Sequence, residues 1–270
     1  MDAPSPAAAA DALHVFTAFG PLHLLTAGVG AALLAALGWF ARNLRGNPAE
    51  PRVRAALAIF ALAYWISYNT WWNWHGLDPR TGLPLQACDI SGLIAPFALL
   101  TLSRPLRATL YFWAFGFATQ AYIQPTLTVG PAYILFWAFW TAHTTILACA
   151  LYDLVALGFR PDWGDYGRAL LASLVWAAAI LPIDLWLRAD YGFIGNPPPD
   201  LPVPAAVAAL GPWPQRLIVM LLLAAAGFAL LLAPWRMVRR HERASVKQHS
   251  KPPTSSRPRS ACSGESLPRT

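Results

Sequence analysis

Charge is what this sequence has least of. Only 12% of its 270 residues are Asp, Glu, Lys or Arg, against 56% hydrophobic, and the mean hydropathy is +0.42. That composition excludes an ordinary water-soluble globule and points to a membrane protein. Cysteine is scarce as well. Cys88, Cys149 and Cys262 show no CxxC or Cys/His spacing, so neither a disulfide framework nor a zinc site is implied, and no cofactor or metal is expected. The opening MDAPSPAAAADALHVF holds Asp2 and Asp11 but no Lys or Arg. It therefore lacks the basic region of a cleaved signal peptide, and the first apolar segment is expected to stay in the mature protein.

What is abundant is apolar runs of membrane length. A hydrocarbon core about 30 Å thick needs roughly 20 helical residues. Seven segments approach that length: Gly20–Ala41, Val53–Trp72, Leu83–Ser103, Arg107–Ile123, Pro131–Ala156, Arg168–Trp186 and Pro214–Trp235. The expected fold class is an all-α polytopic bundle of seven transmembrane helices, with six as the alternative count because the fourth segment is short. Pro96, Pro182 and Pro234 are expected as kinks or ends rather than breaks. The domain reading is a short N-terminal segment (1–19), one transmembrane domain (20–240) and a basic disordered tail (241–270).

Basic residues fall on one side. Alternate connections plus the tail hold 17 of the 20 Lys and Arg, and the other set holds only Arg80, Arg188 and Arg216. The positive-inside rule then places the N-terminus outside and the C-terminus in the cytoplasm, as for a multi-pass protein of the bacterial inner membrane. The tail, with RRHER and KQHSK, has no interleaved aromatics or folded scaffold. It reads as a segment near anionic headgroups, with membrane lipid as partner and no nucleic acid; oligomeric state stays open. Gly28, Ala32 and Ala36, four apart, form a stripe expected to pack against another helix. Trp71 to Trp74, WWNW, suit an interfacial anchor.

Polar residues within the spans gather towards the outer side: His23, Asn69, Cys88, Asp89, Gln120 and Asp184, with His143 near the middle of the fifth span. An ionisable group in hydrocarbon costs at least ~2.5 kcal/mol on insertion scales, so such groups normally face a bundle interior or a wet cavity. An outward-facing pocket follows. His143 lies too deep to snorkel, which singles it out.

PLQACDIS (84–91), FWTAHTTIL (139–147), DYGFIGNPPP (190–199) and ALGPWP (209–214) occur in that order. Together they resemble the YwaF family of bacterial integral membrane proteins, over about Phe19 to Trp235. More distantly, the chain is similar to androgen-induced membrane hydrolases of fatty-acid esters and to a transmembrane acyltransferase of ether phospholipids. In the acyltransferase a cysteine on one helix and a histidine two helices later form the proposed catalytic pair; in the hydrolases a threonine is the nucleophile. The resemblance implies Cys88 and His143 as the corresponding pair, and a lipid acyl hydrolase or acyltransferase as the activity.

The chemistry suits the residues. A thiol in apolar surroundings needs a helix N-terminus or a base to ionise. The third span starts just before Cys88, and His143 could take its proton. Asp89 could oppose the thiolate, face water or orient the imidazole. Depth is the obstacle: Cys88 lies ~7 Å below the start of its span and His143 ~18 Å below its own, so a projecting fifth span would be needed to bring them level. The rival reading is a non-enzymatic, proton-linked solute binder or transporter using His143, Asp89 and Asp184.

Overall fold

The computed structural model describes residues 13–74, 76–201 and 203–249, with side chains to Met237. Among these the chain is helical without strands. Helices α1 (Pro21–Leu44), α2 (Glu50–Trp74) and α3 (Ala87–Thr101) are followed by α4 (Arg104–Trp113). A π-helical turn (Ala114–Ala118) joins α4 to α5 (Gln120–Ile123); then come α6 (Ile134–Val155), α7 (Trp163–Leu187), the short α8 (Ala205–Ala208) and α9 (Gln215–His249).

Each of the seven apolar segments falls on helix. Four helices are long and apolar enough to cross a membrane: α1, α6, α7 and the Gln215–Met237 part of α9; α3 is a shorter apolar helix. The short fourth segment is α4 prolonged through the π turn into α5. There Gly116 sits so close to Phe228 that a Cβ would come 2.7 Å from the ring, which keeps two helices in contact where the backbone widens. Pro96, Pro182 and Pro234 all lie inside helices rather than at their ends.

The core centres on α4, where every residue from Ala108 to Trp113 is buried. A helix covered on all faces has neighbours on all faces. Phe112 meets Phe228 of α9 and Tyr166 of α7, and Trp113 donates through Nε1 to Ser173 Oγ at 2.9 Å. The outer faces of α1 and α7 instead expose Leu24, Leu25, Val29, Leu33, Leu171 and Val175, as lipid-facing helices do. The small-residue stripe of α1 is a correction. Gly28, Ala32 and Ala36 are exposed, and close packing falls on Gly30, where a Cβ would strike the Tyr122 ring and hydroxyl. Spacing of four identifies a face, but not which face is covered.

Ion pairs secure the end of the bundle that holds the basic connections. Arg107 pairs with buried Asp153 at 2.8 Å, and Arg104 with buried Asp165 at 2.8 Å and Asp162 at 2.7 Å. Asp165 also closes a capping box at the start of α7. Asp153 is enclosed as well as paired. The last helix runs to His249; the remainder of the basic tail, 250–270, lies outside the described residues, as do 1–12.

Candidate functional site

The third apolar segment begins at Leu83, but helix α3 begins only at Ala87, and its 15 residues span ~22 Å, short of the hydrocarbon thickness. The chain therefore enters as irregular backbone over 83–86. Inside a membrane such backbone survives only where protein satisfies its polar atoms, and here the loop after α7 does so. Tyr191 accepts the Leu83 N–H at 2.9 Å through its hydroxyl, which donates to Pro79 O at 3.0 Å. Trp176 Nε1 donates to Leu85 O at 3.1 Å, and Gly192 N–H to Gln86 Oε1 at 2.7 Å.

The DYGFIG stretch is built for this task. Gly192 has φ +65° and lies so tightly on the Trp176 ring that no side chain fits, and Gly195 is pressed likewise against Ala189 O. Buried Asp184 accepts the Tyr191 N–H through Oδ1 at 2.9 Å, while its Oδ2 has no partner. Buried Arg216 pairs with Asp190 at 3.2 Å and donates to Gly195 O at 2.6 Å. Burial pushes the Asp190 carboxyl above its ordinary range, and the Arg216 guanidinium opposes that rise.

The buttressed start of α3 forms one wall of a cavity of about 100 Å³. Cys88, Asp89, Gly92 and Ala95 line it from α3; Ala61, Tyr64, Trp65 and Tyr68 from α2; and a run from Leu135 to Ile146, including Phe139 and His143, from α6. Cys88 is the second residue of α3, in the first turn where backbone N–H groups point outward and favour negative charge. His143 is the tenth residue of α6, ~14 Å along it. Both line the cavity, Cys88 from the first turn of α3 and His143 from the third turn of α6. Cys149, by contrast, is fully buried and lines no part of the cavity.

Hydrogen bonds fix the tautomer of His143. Its Nδ1 is 2.7 Å from Phe139 O, and a carbonyl can only accept, so Nδ1 carries the proton. The ring packs on Phe139 with centroids 4.4 Å apart. Nε2 has no hydrogen-bond partner among the described residues, leaving its lone pair available in the neutral ring. Asp89 does not orient the imidazole. Its carboxylate accepts the Gln86 N–H at 3.2 Å, closing the first turn of α3, and its carbonyl accepts from Trp65 Nε1 at 2.9 Å.

Four of the expected pocket residues lie elsewhere. His23 is buried and bridges Phe19 N–H, at 2.9 Å from Nδ1, to Tyr122 O, at 3.0 Å from Nε2. Asn69 donates to Trp65 O within its own helix, Gln120 is exposed and reaches only Gly116 O at 3.4 Å, and Asp184 holds the loop described above. Polarity near one end of the spans thus comprises two populations, one lining a cavity and one pinning loops. The aromatic wall of α2 was legible in the sequence. Phe60, Tyr64, Tyr68 and Trp72 recur every four residues, and neighbouring rings stand 6.3 to 6.4 Å apart. Among the described residues no cluster of three or more His, Cys, Asp or Glu could hold a metal.

Four apolar helices of membrane length, of which α6 lines the cavity, define a multi-pass membrane protein. Within that class the chain belongs to the TMEM164 family, whose model matches residues 18–232. The match takes in the cavity and the loop that supports it. No curated protein and no solved structure matches the chain.

Proposed function

We propose that this chain is a membrane-embedded acyltransferase or hydrolase of lipid acyl esters, with Cys88 as nucleophile and His143 as general base and acid. One observation supports the reading: Cys88 and His143 line one cavity, and the His143 ring is held through Nδ1 with Nε2 left without a hydrogen-bond partner among the described residues. His143 takes the thiol proton, and the sulfur attacks the ester carbonyl. The tetrahedral intermediate collapses to a thioester, and the departing alcohol receives the proton from His143. A second alcohol or water, deprotonated by the same ring, then releases the acyl group. The chemistry calls for no cofactor.

The cavity is smaller than the roughly 300–1,000 Å³ typical of a complete ligand site. It suits the reacting end of an acyl chain whose remainder stays in the bilayer. The distant similarity to the ether-phospholipid acyltransferase, in which a cysteine and a histidine two helices later form the proposed pair, supports the same two residues. The split of basic residues supports seven spans in a bacterial inner membrane, with the N-terminus and this cavity on the outer side. Against a proton-linked transporter, Asp184 is engaged with the loop and is not among the cavity's lining residues.

The test is to incubate purified protein with phospholipid or an activated fatty ester and locate the acyl mass. It is expected on the peptide holding Cys88 and should be released by hydroxylamine. Acyl mass on another residue, with Cys88 unmodified, would remove the assignment.

A further inference from the structure

A thiol and a base leave acyl chemistry one element short. When sulfur adds to a carbonyl, negative charge develops on oxygen, and a site needs a donor placed for it. Most polar groups near Cys88 and His143 are already committed. Tyr64 donates to Ala138 O at 2.7 Å, Trp65 to Asp89 O at 2.9 Å, and Asn69 to Trp65 O at 2.8 Å.

Tyr68 is the exception. A phenol in apolar surroundings ordinarily finds a partner, and six of the eight tyrosine hydroxyls here make a hydrogen bond: those of residues 64, 111, 122, 152, 166 and 191. Of the remaining two, Tyr133 is 48% exposed, whereas Tyr68 is half-buried and lines the cavity. Its ring is held flat on Tyr64, 6.3 Å away and 3° from parallel. The Trp65 bond ties that turn of α2 to the first turn of α3, and Tyr68, three residues further on, lines the same cavity as Cys88. Thr145, the other cavity hydroxyl without a hydrogen-bond partner among the described residues, lies two residues beyond His143.

We propose that the Tyr68 hydroxyl is a catalytic oxyanion donor of this site, hydrogen-bonding the ester carbonyl oxygen as Cys88 adds. The inference rests on the acyl-transfer reading. In the step, the Sγ–C bond forms, the carbonyl π pair moves onto oxygen beside Tyr68, and His143 holds the thiol proton. Re-forming the carbonyl then expels the leaving group.

Two reagents separate this inference from the reading beneath it. 4-Nitrophenyl butyrate acylates a thiol through an oxyanion and releases 4-nitrophenolate, whereas iodoacetamide alkylates it by displacement with no oxyanion. Intact-mass kinetics on the purified full chain in detergent follow both at Cys88. Removing one oxyanion donor typically costs about 10²–10³-fold. Tyr68→Phe, which keeps the ring, is expected to slow butyrylation by that factor and to leave alkylation within about twofold. Tyr133→Phe, which removes an exposed hydroxyl outside the cavity lining, should leave both rates unchanged. Equal butyrylation of wild type and Tyr68→Phe, or a loss in Thr145→Val instead, would overturn the role of Tyr68 while leaving Cys88 as nucleophile. Absence of butyrylation at Cys88 in the wild type would overturn both.

Discussion

Replacing Cys88 with alanine is expected to abolish acyl-enzyme formation and turnover. Loss of a nucleophile costs on the order of 10⁶-fold in hydrolases whose residues act as a unit. His143→Ala should be milder, about 10²–10⁴-fold, because the thiol remains and only general-base help is lost. A double variant should be no worse than Cys88→Ala alone, since the two groups serve one step. Cys88→Ser discriminates further. The hydroxyl fits the space but ionises far less readily, so activity should fall sharply unless the site can drive an oxygen nucleophile, as the threonine-bearing hydrolases that the chain resembles are inferred to do. Turnover is to be measured with a fluorescent phospholipid in detergent micelles. Full activity in Cys88→Ala would reduce the thiol to packing.

The second large effect lies some distance from the chemistry. Arg216 and Asp190 are buried together, with side chains 7% and 9% exposed, so removing the cation leaves an uncompensated carboxylate. Breaking such a pair costs about 3–5 kcal/mol. Arg216→Ala should therefore lower unfolding stability by that order, read by denaturant titration in mixed micelles. It also takes a donor from Gly195 O, freeing the loop whose Tyr191 and Gly192 bond Leu83 and Gln86. Cys88 modification rates should become heterogeneous as α3 loses its fixed start. Asp190→Asn combined with Arg216→Met removes both charges and should recover much of the stability. Wild-type stability in Arg216→Ala would mean that the pair supports nothing.

The helices were legible because apolar length is a coarse signal that survives errors of a few residues. Segment ends were less so. Leu83–Gln86 are nearly as apolar as a first helical turn, but Pro84 disfavours helix at Leu83, the Gln86–Asp89 capping box starts the helix at Ala87, and Tyr191, Trp176 and Gly192, about a hundred residues away, pair with the polar atoms left over. That difference matters, since the late start of α3 is what puts Cys88 in its first turn.

Polarity within a span was a good guide to importance and a poor guide to place. His143 and Asp184 look alike in sequence, one ionisable group in an apolar run, yet one faces a cavity and the other accepts a loop N–H. Asp89 offers a finer case. Its neighbour Cys88 suggested an electrostatic role, but three residues after Gln86 it is in capping position, a signal that local spacing did contain. The small residues of α1 show the limit of periodicity, because Gly28 and Gly30 differ only in which face the rest of the bundle covers.

The central claim is that Cys88 and His143, which line one cavity, work on one carbonyl. A bifunctional alkylator, 1,3-dibromoacetone, tests their proximity without knowledge of the substrate. The first arm captures a thiol, and the second can close only on a nucleophile within a three-carbon bridge. Mass spectrometry of the digested protein is expected to find the peptides of Cys88 and His143 joined, with the link absent in His143→Gln. Cys88 alkylated by one arm only, the second lost to water and His143 unmodified, would contradict the account.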